Sequence, residues 1–204
     1  YPPNNARLQR LPIQPAEAKE LPQDRLRLFF AGTLCRSKGV DLVLHALAAN
    51  SGPLGEATLE IAGIGDLENS LKALCESLGL QDRVRFLGFC SKDQMEAAYE
   101  RSNLQVLPSR VPENSPLTVL EAGARGRPSV ASHAGGVPEL LPKGRGWTFA
   151  SEDVEGLRKV LEKLAGELSL LAPTGAEMRR WVRSEFEPTR HWDSVDAAYH
   201  ELTA

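Results

Sequence analysis

Short apolar runs alternate with amphipathic helical patterns along most of the chain, and this alternation restricts the fold more than any other feature. Runs such as Leu26–Ala31 and Leu104–Leu107 are almost continuously apolar, as expected of strands buried on both faces of a sheet. Repeated strand–helix–strand units favour parallel pairing with right-handed crossovers. We therefore predict an α/β fold, a Rossmann-like parallel sheet of about six strands with helices on both faces. The predicted strands are Leu26–Ala31, Thr58–Ala62, Val84–Leu87, Leu104–Leu107, Ser129–Ala131 and Trp147–Phe149.

Helical patterns fill the segments between these strands and follow the last of them. The helices predicted between strands are Gly39–Asn50, a helix capped by Asp66 that runs to Leu78, Lys92–Arg101, Pro116–Arg125 and Val137–Leu141. The C-terminal helices are predicted at Val154–Leu171, Glu177–Glu185 and Thr189–Glu201, separated by Pro173 and Pro188 because proline interrupts a helix. We predict a linker over residues 1–24 and one domain over residues 25–204.

Composition restricts the class of protein. The 204 residues are 42% hydrophobic, enough for a core, and the formal net charge of −3 argues against a nucleic-acid partner. No apolar run approaches the roughly 20 residues of a membrane helix. Cys35, Cys75 and Cys90 lack metal-binding or redox spacing, so we expect reduced thiols in a cytoplasmic protein. Peripheral association with the cytoplasmic membrane face stays open.

The loops beyond the carboxyl ends of the strands are the expected ligand site of an open α/β sheet. One of them carries Glu113 and leads into a helix that carries Glu121. We predict Ser115 as the N-cap and Pro116 as the first helical residue. The free N–H groups and positive dipole end of such a helix favour phosphate. Two carboxylates on either side of an anion site suit a ligand with hydroxyls at both ends and phosphates between, such as a nucleotide-diphosphate sugar.

A second loop, Gly32–Gly39, leaves the first strand. Its glycine permits close backbone approach, and Arg36 and Lys38 offer cations, although the order of a Walker A loop is absent. An ordinary turn with solvated cations is the alternative interpretation.

Three further features have simpler explanations. Gly63–Gly65 lacks the third glycine of a dinucleotide fingerprint, so we predict a plain turn there. Gly88 ends a strand, where a base could lie, or it is only a strand terminus. We expect His133, a lone histidine in a glycine-rich loop, to be structural or solvated rather than a ligand contact.

Taken in order, these elements resemble the C-terminal, donor-binding half of the GT-B glycosyltransferases of family 4, over about Leu26 to Phe149. The elements are Gly32 with Lys38-Gly39, Val84-Arg85-Phe86-Leu87-Gly88, Pro108-Ser109 with Glu113 and Glu121-Ala122, Gly126-Arg127-Pro128-Ser129-Val130-Ala131-Ser132, and Gly135-Gly136-Val137-Pro138-Glu139. Each motif is weak alone, whereas the ordered set is specific.

The resemblance implies roles for individual residues. Glu113 would contact donor-sugar hydroxyls and Lys38 the diphosphate, which makes these two the expected catalytic residues. Glu121 would hold the ribose, and the strand end near Leu87 and Gly88 would face the base. The full set of expected donor-binding residues is Gly32, Thr33, Arg36, Lys38, Leu87, Gly88, Glu113, Asn114, Ser115, Pro116, Leu117, Thr118 and Glu121.

The resemblance also implies an activity. Such enzymes are retaining, need no metal or other cofactor, and transfer a hexose-type sugar from a nucleotide-diphosphate sugar to a glycan, lipid-linked or small-molecule acceptor. The acceptor would be contacted mainly by an N-terminal domain that this chain, which begins at Tyr1 rather than Met, does not contain. We therefore expect the chain to fold and to bind nucleotide weakly, with little or no transfer.

Two departures from the family pattern concern the donor. Thr33 stands where many members have Arg, and Glu113-Asn114-Ser115-Pro116 replaces the commoner Glu-Gly-Phe-Gly.

The alternatives that the sequence leaves open are a nucleotide-sugar-binding module without transferase activity and a nucleotide-sugar epimerase or a phosphorylase on the same fold. A flavodoxin-like or dehydrogenase domain is disfavoured, because the dinucleotide fingerprint is incomplete.

Overall fold

Parallel strands form a six-stranded sheet in the computed structural model, which describes residues 13, 17, 19–48, 52–186 and 200. The strand order is β3-β2-β1-β4-β5-β6, so the chain runs outward from β1 in one direction and then returns to extend the sheet in the other. The strands are β1 (Arg27–Ala31), β2 (Thr58–Ala62), β3 (Val84–Gly88), β4 (Leu104–Leu107), β5 (Ser129–Ser132) and β6 (Gly146–Phe149). The predicted fold class and number of strands are confirmed.

Helices cover both faces of the sheet. They are α1 (Val40–Ala48), α2 (Glu68–Ser77), α3 (Lys92–Arg101), α4 (Leu117–Ala124), α5 (Val137–Leu140), α6 (Val154–Gly166) and α7 (Leu171–Glu185). In β1, Leu28 and Phe30 join the core beneath α1, α2 and α6, while Phe29 and Ala31 pack towards α3 and α4. Alternate residues of a strand point to opposite faces, so burial of both faces explains the continuous apolar runs.

Two of the helices, α1 and α2, begin later than predicted. A short 3₁₀ turn at Arg36–Lys38 ends at Gly39, whose φ of 65° is left-handed, and α1 starts only after it. The predicted cap at Asp66 is wrong, because α2 begins at Glu68 with Leu67 as its N-cap. The Leu67 N–H instead donates to the Leu34 carbonyl at 3.0 Å, which holds this turn against the loop after β1.

The C-terminal helices differ from the prediction at Pro173. This proline lies in the first turn of α7, where the N–H that it lacks would have had no intrahelical acceptor. The helical pattern is interrupted earlier, because α6 ends at Gly166 and Glu167 has the non-helical angles φ −132° and ψ 56°. Apart from His200, the helix predicted over 189–201 lies outside the described residues.

Helix α7 packs closely on α4 and so fixes the helix whose start faces the carboxyl edge of the sheet. A Cβ atom added to Gly175 would lie 1.9 Å from the Gly126 carbonyl oxygen, and one added to Gly123 would lie 2.7 Å from Met178 Cγ. These glycines permit a helix contact that larger residues would separate.

Buried Arg127 joins the segment before β1 to the rest of the domain. Its guanidinium donates to the carbonyls of Lys19, Tyr99 and Arg125 at 2.7, 2.9 and 2.8 Å, and only 1% of the residue is exposed. The boundary predicted at residue 24 stays a prediction, but Lys19 just before it is held on the domain. No helix in the described part of the chain is long and apolar enough to span a membrane.

Candidate functional site

Backbone hydrogen bonds join the loops that leave β1, β2 and β3 at the carboxyl edge of the sheet. Gly32 N–H donates to the Ala62 carbonyl at 3.0 Å, and Gly63 N–H donates to the Gly88 carbonyl at 2.8 Å. The contact between the loops is close, since a Cβ on Gly63, at a φ of 145°, would lie 1.8 Å from the Gly32 carbonyl oxygen. The main chain therefore fixes the shape of this edge.

An open groove of about 330 Å³ lies over these joined loops. It is lined by Ala31, Gly32, Thr33, Ala62, Gly63, Ile64, Phe89, Cys90, Met95 and Thr118. Three of the residues predicted from the sequence, Gly32, Thr33 and Thr118, are thus brought together. Ile64 and Phe89 stand out from the wall with 55% and 78% of their surface exposed. The apolar wall with Thr118 of α4 at its side can hold a flat or apolar group near a helix start.

Lys38 and Glu113, which are 75 positions apart in sequence, form a direct ion pair. Lys38 Nζ donates to Glu113 Oε1 at 2.7 Å, and the Ser109 hydroxyl donates to the same oxygen at 2.6 Å. The side chains of Lys38 and Glu113 are 29% and 17% exposed. Ser109 was missed as a site residue, although it belongs to the Pro108-Ser109 element that follows β4 and its hydroxyl is buried.

This environment shifts the titration of Glu113. Partial burial acts to raise the pKa of the carboxyl group, but the hydrogen bonds from Lys38 and Ser109 and the charge of Lys38 together outweigh it. The pKa of Glu113 is therefore lowered, and the group is an acceptor at neutral pH.

The glycine-rich loop after β5 supports Glu113 from behind. Gly136 N–H donates to the Glu113 carbonyl at 2.6 Å. A Cβ atom on Gly135 would lie 2.4 Å from that oxygen, and one on Gly136 would lie 2.1 Å from the Asn114 carbonyl oxygen. The two glycines thus act through the backbone that carries Glu113.

Helix α4 begins one residue later than predicted. Pro116, rather than Ser115, occupies the N-cap position, and no side chain caps the helix there. The Pro116 carbonyl accepts from the N–H groups of Val119 and Leu120 at 3.1 and 3.4 Å. The N–H groups of Leu117 and Thr118 precede these bonds, so they are the orphan donors of the helix start.

Glu121 lies on α4 with a buried tyrosine as its partner. The Tyr99 hydroxyl donates to Glu121 Oε2 at 3.4 Å, and burial raises the pKa of Tyr99 well above its ordinary value. Arg125 lies 4.6 Å from the centre of the Tyr99 ring, donates to the Glu121 carbonyl at 2.8 Å and pairs with Glu96 at 2.6 Å. Tyr99, which the sequence analysis missed, is thus the hydrogen-bond partner of the Glu121 carboxylate.

A family model described as glycosyl transferases group 1 matches residues 14–170 of the chain. The chain belongs to the glycosyl transferases group 1 family. One relative of this family member is the lipopolysaccharide core biosynthesis mannosyltransferase LpcC of Rhizobium leguminosarum bv. viciae. The two are 32% identical over 177 residues, which cover 84% of this chain and 49% of the relative. The chain spans half or less of the length of the curated relatives that it matches.

Solved structures share the fold of this family member at low identity. Anabaena Alr3699/HepE in complex with UDP has a TM-score of 0.78 and 22% identity, and the match covers 87% of this chain and 49% of that one. The C-terminal domain of the group 1 family protein LpcC from Francisella tularensis has a TM-score of 0.71 and 19% identity, with 92% and 96% covered. These matches establish the Rossmann-like α/β fold, which corresponds to one half of a GT-B glycosyltransferase.

Other predicted residues of this family member lie away from the groove or contribute only backbone. Leu87 packs inside the domain towards Phe29 and Tyr99, and the Gly88 carbonyl is taken by Gly63. The Arg36 side chain is exposed. Phe89, which was missed, takes the position beside the groove that was expected of Leu87 and Gly88.

Three more residues complete the placement of the predicted groups. Asn114 and Ser115 are exposed on the loop before α4. Exposed His133 contacts Thr148, with 3.3 Å between its Nδ1 and the hydroxyl oxygen. In the part of the chain that is described, no three His, Cys, Asp or Glu side chains are grouped so as to hold a metal ion.

Proposed function

We propose that this chain is the C-terminal, donor-binding domain of a retaining, family 4 glycosyltransferase that transfers a hexose-type sugar from a nucleotide-diphosphate sugar. The observation that carries this proposal is the pairing of Lys38 with Glu113 in the loop that leads into the uncapped start of α4, with an open groove next to Thr118. The UDP complex of the Anabaena protein and the mannosyltransferase name of the Rhizobium relative support a nucleotide-sugar donor. The match to an isolated C-terminal domain supports the domain assignment.

The diphosphate is placed at the start of α4. There the N–H groups of Leu117 and Thr118 and the positive end of the helix dipole face an anion. Lys38, whose side chain is 29% exposed and whose ammonium pairs with Glu113 in the loop before this helix, supplies a cation. Charge grows on the departing nucleotide diphosphate during transfer, and donors fixed in advance stabilise such charge most effectively. The reaction proposed here needs neither a metal ion nor another cofactor.

The two carboxylates are assigned to hydroxyl groups at opposite ends of the donor. Glu113 is ionised and oriented by Ser109 and Lys38, so it can accept from hydroxyls of the sugar when Lys38 turns to the diphosphate. Glu121 lies further along α4 and is assigned to the ribose, with Tyr99 orienting its other oxygen. The base is assigned to the groove between Ile64 and Phe89. Asn114 and Ser115 border the sugar.

The acceptor is assigned to a second domain, in keeping with a chain that spans half or less of its relatives. Acceptor identity, linkage and any contact with the cytoplasmic face of a membrane would be decided there. On this proposal the 204-residue chain binds the donor but turns it over poorly by itself.

A ligand panel tests the proposal. The thermal unfolding of the chain would be followed with UDP, GDP, ADP and their sugars, each at about 100 times its dissociation constant, where binding stabilises by about 2.7 kcal/mol. We expect one nucleotide class to raise the unfolding temperature and Glu121→Ala to abolish the shift. Glu76→Ala, which removes an exposed glutamate on α2, is the control and should leave it unchanged.

Two outcomes would count against the proposal. No stabilisation by any of the nucleotides would contradict donor binding. Binding that never leads to transfer, even when a matching acceptor domain is supplied, would favour the nucleotide-sugar-binding module instead.

A further inference from the structure

Arg110 connects the loop that carries Glu113 to the turn that carries Lys38. Its backbone N–H donates to the Ser37 carbonyl at 2.7 Å, and its guanidinium Nη1 donates to the Arg36 carbonyl at 3.0 Å. One residue therefore holds both of the carbonyl groups that immediately precede Lys38.

Asp41 secures Arg110 from the other side of Lys38. Nη1 and Nη2 of Arg110 donate to the two carboxylate oxygens of Asp41 at 2.8 and 2.6 Å. A two-point contact of this kind fixes orientation as well as distance. Asp41 lies in the first turn of α1, so Arg110 is bonded to the chain both before and after Lys38.

The two segments also touch through their backbones. A Cβ atom on Gly39, at a φ of 65°, would lie 2.1 Å from the Pro108 carbonyl oxygen. The turn with Lys38 is thus pressed on the end of β4, directly before Ser109. Because a lysine side chain is long and flexible, the placement of its backbone decides whether Nζ can reach Glu113.

We propose that Arg110, held by Asp41, is a positioning residue that sets Lys38 against Glu113 and so prepares Lys38 for the diphosphate of the donor. The second half of this inference rests on the proposed function. Arg110 bonds the segment of Lys38, belongs to the segment of Glu113, and directly follows Ser109, the other donor to Glu113. Loss of the Arg110 contacts should therefore weaken the contact between Lys38 and Glu113.

Two substitutions in the 204-residue chain test this. Arg110→Lys keeps the positive charge but cannot form the two-point contact, whereas Arg110→Gln removes the charge as well. Arg101→Gln is the matched control, because Arg101 also makes a forked contact, with Glu60 at 2.9 to 3.2 Å, on a different part of the sheet. Circular dichroism would check that each variant is folded.

The first measurement is the titration of the Glu113 carboxyl by NMR, which needs no ligand. We expect its pKa to rise towards the ordinary value in Arg110→Lys and Arg110→Gln, because Lys38 is no longer held against it. Arg101→Gln should leave the titration unchanged. An unchanged Glu113 titration in Arg110→Lys would overturn the positioning role, since a contribution to stability alone would not move it.

The second measurement compares the dissociation constants of UDP and GDP with those of uridine and guanosine. We expect Arg110→Lys to weaken diphosphate binding about tenfold and nucleoside binding by less than about twofold, because a small misplacement acts on the group that Lys38 contacts. Equal losses for both, or no loss, would overturn the link to the diphosphate. If the wild-type chain binds no nucleotide, the proposed function fails, but the Glu113 titration still decides the positioning of Lys38.

Discussion

At the scale of single residues, Glu113 has the most informative environment in the molecule. One of its oxygens accepts from both a lysine and a buried serine, and these contacts lower its pKa despite partial burial. A carboxyl group whose pKa is lower in the folded state stabilises the protein above its unfolded pKa, about 4.3. This stabilisation is lost as the pH falls through the folded-state pKa.

Lys38→Met tests this linkage. At pH 7 we expect the free energy of unfolding to fall by about 1–2 kcal/mol, because a partly buried carboxylate loses its charged donor. The difference from wild type should shrink as the pH falls from about 5 to about 3, where Glu113 becomes protonated. Urea unfolding at both ends of this range measures the effect.

The control for this experiment is Lys72→Met. Lys72 pairs with Glu68 at the same 2.7 Å, but its side chain is 46% exposed. Removal of an exposed pair of this kind costs at most about 0.5 kcal/mol. An equal loss for Lys38→Met at pH 7 and pH 3 would contradict the account of Glu113.

At the scale of secondary-structure elements, the strands and the starts of α3, α5 and α6 could be predicted closely, whereas the start of α2 could not. Burial on both faces leaves a mostly apolar run in the sequence, as in Leu104–Leu107, which is a strand with the same bounds in the structure. The start of α2 depends instead on the hydrogen bond from Leu67 to Leu34. Such a contact leaves no local pattern.

The candidate site also combines features that could be predicted from the sequence with features that could not. Lys38 and Glu113 could be predicted separately from the loops in which they lie, but a contact between residues 75 positions apart has no trace in one sequence. From the sequence alone, Tyr99 is an ordinary residue on the buried side of the α3 helix. Its role beside Glu121 depends on how α3 and α4 lie against each other.

The contact between α4 and α7 gives a prediction at this scale. Alanine normally stabilises a helix relative to glycine by about 1 kcal/mol. At Gly175 the new Cβ would lie 1.9 Å from the Gly126 carbonyl oxygen, so we expect Gly175→Ala to lower the free energy of unfolding by about 2 kcal/mol.

Gly166→Ala is the comparison. A Cβ at this last residue of α6 would have no atom within 4 Å, so the change should be neutral or slightly stabilising in the same thermal or urea unfolding experiment. Unfolding curves that coincide for the two variants would show that α4 and α7 can separate without cost.

At the scale of the whole molecule, Arg127 connects segments that are distant in sequence. Its guanidinium reaches carbonyls before β1, at the end of α3 and after α4. Methionine fills similar space but removes the buried guanidinium that donates to these carbonyls, so we expect Arg127→Met to lower the free energy of unfolding by about 3 kcal/mol.

Arg85→Met is the control for that loss of stability. The Arg85 side chain is 72% exposed and lies 3.6 Å from Glu60, and exposed substitutions of this type change stability by about 0.5 kcal/mol or less. Urea unfolding of both variants at pH 7 makes the comparison. Similar small effects would mean that the segment around Lys19 contributes little to holding the domain together.

The backbone hydrogen bonds between Gly32, Ala62, Gly63 and Gly88 have a consequence for how the ligand preference of the groove can change. They shape the floor of the groove without using the side chains of Thr33, Ile64 or Phe89. Exchange of those three side chains can therefore alter which molecule fits while the scaffold stays as it is. A library randomised at these three positions would explore ligand preference on a constant architecture, and most of its members should fold.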